Sequence, residues 1–324
     1  MASDFAPSSL SVTLADIREA GERIRGIVLR SPLIPLRLGG PGPDIYLKLE
    51  SLQPINAFKL RGAANAVAML SESERSRGVW TISAGNAGQG VAYAARSAGV
   101  PCTVVVIENA PETKVRRMRE LGATLVKAPF DACWRAMETR SFEGVEGAFI
   151  HPFDDSNFIA GNGTIALEIE EDLPSVRSVV AAVGGGGLIS GIGSAFRELH
   201  PEVRIYGAEP ETAAPLSRSL ETGKAEIFTG WTASFVDGAG GKSVFPNMWD
   251  RLRRVVDASI VVSLDEVRRA MRHLAEEVRI ISEGAGALAV AAAMSGRIEA
   301  GPIVAVVSGG NVDLEKFCEL IAVD

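Results

Sequence analysis

Val179-Val180-Ala181-Ala182-Val183-Gly184-Gly185-Gly186-Gly187-Leu188-Ile189-Ser190-Gly191 decides the fold. Its opening apolar run, with three β-branched valines, reads as a strand buried on both faces, as strands inside parallel sheets are. Four glycines then turn the chain into an apparent helix, so the unit is strand, loop and helix. Without Cβ atoms the loop backbone can wrap closely around a bound group and aim several N–H groups at it, which favours a phosphate. A dinucleotide fingerprint fits poorly, because counted from Gly184 or Gly185 the last glycine of G-x-G-x-x-G falls on Ile189 or Ser190. A P-loop fails because no Gly-Lys-Ser or Gly-Lys-Thr follows.

The same grammar recurs outward from this run. Short β-branched stretches at 104–107 and 303–307 are apolar enough to be buried on both faces, and each is followed by a loop signal. Residues 112–121 read as a helix stopped by Gly122, before 123–126 begins another strand. Near the start, Thr13 and Asp16 resemble a capping box, with Val12 and Ile17 as a staple and Ile17, Ala20 and Ile24 along one helical face. Such alternation predicts an α/β fold of mainly parallel sheets covered by helices. At about 150 residues per domain, 324 residues suggest two lobes. The strand and helix alternation of 73–151 is expected to form the smaller lobe, inserted between 1–72 and 152–324 of the larger, with the active site in the cleft.

Composition excludes several classes. A net charge of -7 argues against a nucleic-acid partner, and Arg251, Arg253 and Arg254 read more simply as a solvated helix face. The apolar run 287–294 is far short of the roughly 20 residues that span a bilayer, so no membrane partner is expected. Asp4 and Pro7 stand where a secretory leader would need a basic stretch and an apolar run, which makes the cytoplasm the expected location. Cys102, Cys133 and Cys318 have neither disulfide nor metal-ligand spacing and read as buried or inert thiols. His151, His200 and His273 are equally scattered, so no metal site is expected from them.

Three further runs carry chemistry. Ile55-Asn56-Ala57-Phe58-Lys59-Leu60-Arg61-Gly62 leads into a helix expected over 63–70; alone, its lysine would be read as solvated. Ser83-Ala84-Gly85-Asn86-Ala87-Gly88-Gln89-Gly90 is again a loop between strand and helix, where N–H groups at a helix start can cradle a carboxylate. Ser308-Gly309-Gly310-Asn311 closes the last buried strand with a small polar residue.

In this order and spacing, the four runs resemble the serine/threonine dehydratase and serine racemase branch of the fold type II pyridoxal phosphate enzymes. Lesser matches are Ala110 to Lys114, His151-Pro152-Phe153-Asp154-Asp155 and Glu283-Gly284-Ala285-Gly286. The resemblance implies that Lys59 holds pyridoxal 5'-phosphate as an internal Schiff base, beside Phe58. It places the cofactor phosphate on Gly184, Gly185, Gly186, Gly187 and Leu188, Asn86 on the ring hydroxyl, Ser308 facing the pyridine nitrogen and Glu283 among the cofactor contacts. Ser83, Ala84, Gly85, Asn86 and Ala87 would receive the substrate carboxylate. A lysine amine and a glycine nest suit these tasks chemically.

The implied activity is an ammonia-lyase that dehydrates and deaminates an L-β-hydroxy amino acid, threonine or serine first, to a 2-oxo acid and ammonia. A bulkier or acidic substrate such as phenylserine or 3-hydroxyaspartate, a racemase, and a silent small-molecule sensor of the same fold are the alternatives. A homodimer is the expected assembly. Three positions depart from the pattern. Ala87 stands where many relatives carry histidine, and Asn162 where glutamine is common. Metal-activated members place a divalent cation on the equivalents of Glu209, the Ala213 carbonyl and a second acid, but that last position is Pro215. No metal is therefore expected.

Overall fold

The strand expected over 179–183 forms as Ser178–Ala182 and lies at the centre of a sheet. In the computed structural model, which describes residues 12–37, 44–110, 112–298 and 301–322, ten strands occur among the described residues. Asp4, Pro7 and Pro111, the last within the Ala110 to Lys114 match, lie outside them. The strands are β1 (Leu33–Leu36), β2 (Ile45–Lys48), β3 (Val79–Ile82), β4 (Cys102–Ile107), β5 (Thr124–Ala128), β6 (Ala148–Phe149), β7 (Ser178–Ala182), β8 (Arg204–Pro210), β9 (Ala258–Val262) and β10 (Ile303–Val306).

Two sheets result. One has six strands in the order β1-β2-β10-β7-β8-β9, and the other four in the order β5-β4-β3-β6. Every pair is parallel except β1 with β2 at the edge. The parallel strands need helical crossovers, which cover both faces. On the larger sheet, helices Ser156–Asp172 and Gly187–Leu199 enclose one core, and Leu264–Val278 with Gly284–Met294 enclose the other. The apolar run near 287–294 is thus a core helix, buried on all sides from Gly284 to Ala293. The smaller sheet is sandwiched likewise, by helix Asn86–Ala98 on one face and Phe130–Thr139 on the other.

Local signals explain the boundaries. Thr13 and Asp16 make the capping box of helix Leu14–Arg23, and Ile17 and Ala20 are buried on its inner face. Gly122, at φ +89°, follows helix Glu112–Glu120 in the left-handed conformation that glycine adopts without strain. The helix expected over 63–70 begins earlier and runs Lys59–Ala68, so Lys59 opens it. Its first turn is held by a buried ion network, with Arg61 bonded to Glu50 and Glu168, and Lys48 to Glu168 at 2.6 Å. Of the thiols expected to be buried or inert, Cys102 and Cys133 are buried, and Cys318 is exposed. Arg253 and Arg254 are exposed as expected, but Arg251 is half-buried and donates to Ser156 Oγ at 3.2 Å, because its helix turns that side toward residues 154–156.

Candidate active site

Lys59 sits where the two sheets meet. The residue as a whole is half-buried, but its amine end is enclosed. Nζ donates to the carbonyl of Pro152 at 2.7 Å and lies 5.1 and 5.4 Å from the ring centres of Phe58 and Phe158. Burial, with no carboxylate partner among the described residues, lowers its pKa to about 8, since a low-dielectric surrounding disfavours the ammonium. The turn ahead of it is set by Asn56, whose φ of +55° is a left-handed conformation that asparagine tolerates better than most residues. The Asn56 carbonyl accepts Gly310 N–H at 2.9 Å, and the Ser308 carbonyl accepts Phe58 N–H at 3.0 Å. The lysine run and the Ser308 run are therefore one hydrogen-bonded unit.

The Ser83 loop closes on that unit from the smaller sheet. Helix Asn86–Ala98 starts inside the quoted run, leaving the first backbone N–H groups of the helix open to an anion. Ser83 Oγ accepts Gly85 N–H at 3.1 Å, so this hydroxyl is turned back on its own loop. Asn86 Nδ2 donates to Glu283 Oε1 at 2.7 Å, and Asn86 Oδ1 accepts from Asn311 Nδ2 at 2.7 Å. A Cβ on Gly309 would come within 2.4 Å of Glu283 Oε1, so only glycine lets the strand end approach this pair. Ser308 is buried beside them, its Oγ 3.4 Å from the Ala285 carbonyl. Ala84 is half-buried, and Ala87 is buried.

The glycine loop completes the arrangement. Gly186 has φ +86° and precedes helix Gly187–Leu199, so helix N–H groups and the positive end of the helix dipole face the loop. A Cβ on Gly185 would lie 2.2 Å from Cγ of Phe153, and one on Gly187 would lie 2.8 Å from the Phe153 carbonyl. Beneath the loop, Asn162 donates to the Gly187 carbonyl at 3.3 Å, a link that the sequence did not suggest. An enclosed, depressed-pKa lysine together with a strain-free glycine cradle fits pyridoxal phosphate, whose aldehyde and phosphate need those two features.

Sequence reasoning missed two segments. The 151–154 turn joins Lys59 to Gly185 and Gly187, and its only sequence signal was the His151 to Asp155 match. Gly238 stands between the glycine loop and Glu283, its carbonyl 2.8 Å from a Cβ on Gly184; nothing in its own sequence neighbourhood marked it.

Away from this centre, Glu209 is buried at the end of β8. Its Oε1 accepts Leu216 N–H at 2.7 Å, and its Oε2 accepts Ser217 N–H at 2.8 Å and Ser259 Oγ–H at 2.6 Å. Burial raises its pKa to about 7 against these bonds. The carboxylate caps helix Pro215–Thr222, and Pro215 brings no side-chain oxygen, so these residues do not fit a divalent cation needing several oxygen ligands.

These features define a two-sheet α/β site in which the 151–154 turn contacts both a buried lysine amine and a glycine loop at a helix start. The chain belongs to the pyridoxal-phosphate dependent enzyme family, which its residues 24–309 match, and it has the type II fold and uses pyridoxal phosphate. It is 41% identical over 315 residues to an L-threonine ammonia-lyase of Thermotoga maritima, covering 96% of this chain and 78% of that protein. Among solved structures, maize serine racemase superimposes with a TM-score of 0.88 at 32% identity, over 96% of this chain and 97% of that one. The processed form of threonine deaminase isoform 2 from Solanum lycopersicum gives 0.84 at 33%, over 96% and 92%.

Proposed function

We propose that this protein is a pyridoxal phosphate-dependent ammonia-lyase that converts L-threonine or L-serine to the 2-oxo acid and ammonia. The observation that carries this is the enclosed Lys59 amine, held by the Pro152 carbonyl, in a chain 41% identical to an L-threonine ammonia-lyase. When bound, pyridoxal phosphate supplies the electron sink that acidifies the substrate α carbon and lets the β hydroxyl depart.

The chain's own residues do the rest. Lys59 anchors the cofactor and then acts as the base for the α proton, a task that an amine with a pKa of about 8 performs near neutrality. Gly184 to Leu188 hold the phosphate through backbone N–H groups, with Phe58 beside the lysine. Asn86, fixed by Glu283 and Asn311, would hold the cofactor's ring hydroxyl, and Ser308 would offer its ring nitrogen a hydroxyl rather than a carboxylate. Ser83 to Ala87 bind the substrate carboxylate at the helix start.

We further assign residues 73–151 as the substrate-loop unit inserted between 1–72 and 152–324; all four strands of the smaller sheet fall within it. We take the working form to be a cytoplasmic homodimer. Exposed Leu52, Ile281 and Leu314 offer it apolar surface, and light scattering tests the assembly. Among the described residues no helix is long and apolar enough to cross a membrane.

The test is a spectrum followed by an assay. The protein should show an absorbance band near the visible edge, and borohydride should remove it and add the cofactor's mass at Lys59. An amino-acid panel should then give a 2-oxo acid from threonine or serine. Lys59→Ala should lose both band and turnover, and full activity of that variant would refute the mechanism.

A further inference from the structure

His151, to which no role is assigned above, follows β6 and is buried. Its Nδ1 accepts the backbone N–H of Asp154 at 2.9 Å and that of Phe153 at 3.3 Å. Pro152, between them, has no N–H to place. A ring nitrogen that accepts twice carries no proton, so the proton of the neutral imidazole is on Nε2. Burial pushes the pKa down to about 3; Asp154 opposes this, and Arg140 and Lys59 add to it. The acceptor is therefore present at any working pH. Phe149 and Phe153 meet the imidazole edge-on, with centroids at 5.7 and 4.5 Å, and fix its plane.

The turn built on these two bonds touches both halves of the cofactor site. Its Pro152 carbonyl takes Lys59 Nζ at 2.7 Å. Its Phe153 lays a ring over Gly185 and its backbone against Gly187. We propose that His151 is a positioning residue, whose doubly accepting Nδ1 sets the distance between Lys59 and the glycine loop through Pro152 and Phe153. The proposal rests on the assignment of Lys59 as the cofactor lysine. It concerns a residue that need not touch cofactor or substrate.

Two polar variants separate this from a general packing role. His151→Asn puts an amide oxygen where Nδ1 stands, whereas His151→Gln carries it one atom too far. Hydrogen exchange on the cofactor-free protein should find the Phe153 and Asp154 amides as protected in His151→Asn as in the native chain. In His151→Gln they should exchange roughly tenfold faster or more. Titration with pyridoxal phosphate should give an affinity within about threefold of native for His151→Asn and at least roughly tenfold weaker for His151→Gln, with melting temperatures of the cofactor-free proteins alike. Native protection and affinity in His151→Gln would overturn the proposal, as would a His151→Asn protein as impaired as His151→Gln. The exchange measurement needs no bound cofactor, so it stands even if the functional reading of Lys59 fails.

Discussion

Asn86 Nδ2 donates to Glu283 Oε1 at 2.7 Å, tying the first residue of helix Asn86–Ala98 to the residue that precedes helix Gly284–Met294 of the larger sheet. The bond fixes which way the amide faces, because Asn311 donates to its other side. Asn86→Asp would set a carboxylate against Glu283 and remove the donor. Cofactor affinity should fall by roughly tenfold or more at neutral pH, the effect of a like charge replacing a hydrogen bond. Titration of the cofactor-free variant with pyridoxal phosphate measures this, and an unchanged affinity would mean that the pair is not part of the cofactor site.

The depressed pKa of Lys59 sets a pH dependence. Only the neutral amine attacks an aldehyde, and for a group with a pKa of about 8 the neutral fraction grows through pH 8 and then levels off. Cofactor attachment to the cofactor-free protein should therefore speed up between pH 7 and 8 and flatten near pH 9. An ordinary lysine near 10.4 would keep gaining roughly tenfold per pH unit to pH 9. Stopped-flow absorbance distinguishes the two curves.

How much of this was legible in the sequence depends on whether the cause is local. The glycine cradle, the Asn86 loop and the capping box at Thr13 are contiguous runs whose backbone demands show in their composition. Ser308 and Lys59 are far apart in sequence, and only the family resemblance joined them. The ion network of Lys48, Glu50, Arg61 and Glu168 left no such signal. Each of these four residues reads as surface by type, and burial becomes tolerable only when all four meet. The early start of the Lys59 helix left no signal for the same reason, since tertiary packing decides it.

That network yields a stability prediction. Arg61→Met leaves Glu50 fully buried without its guanidinium and strips one partner from Glu168. Breaking one side of a buried pair in this way costs about 3–5 kcal/mol. Arg61→Lys should recover less than half, because a compact ammonium cannot make the paired bonds to Glu50 while reaching Glu168. Urea melts of the cofactor-free proteins decide it. A loss below about 1 kcal/mol for Arg61→Met would show the network to be surface-like.

Glu209 bears on cation dependence. Its oxygens are taken by two backbone N–H groups and the Ser259 hydroxyl, and Pro215 occupies the position of the missing acid. Activity after chelator treatment should stay within about twofold of the untreated enzyme, with no gain on adding magnesium. Strong inactivation that magnesium reverses would contradict this and require the Glu209 carboxylate to release the N–H groups of helix Pro215–Thr222.

The last prediction concerns stereochemistry, where structural likeness to serine racemase and sequence likeness to threonine ammonia-lyase pull apart. Racemisation by two bases needs a proton carrier on the cofactor face opposite Lys59, and the position just before Gly85 and Asn86 is the candidate for it. Here that position is Ala84, whose methyl group neither gives nor takes a proton. The neighbouring Ser83 Oγ accepts Gly85 N–H at 3.1 Å, a bond that holds this hydroxyl against its own loop. With one base, proton removal leads on to loss of the β hydroxyl. The native protein should thus form 2-oxo acid from an L-β-hydroxy amino acid and release negligible D-enantiomer by chiral chromatography. Ala84→Ser should raise D-serine formation from L-serine by roughly tenfold or more, within the range that a positioned acid or base contributes. Efficient conversion of L-serine to D-serine by the native chain would overturn the lyase assignment. Absence of any gain in Ala84→Ser would place the limiting feature elsewhere in the loop.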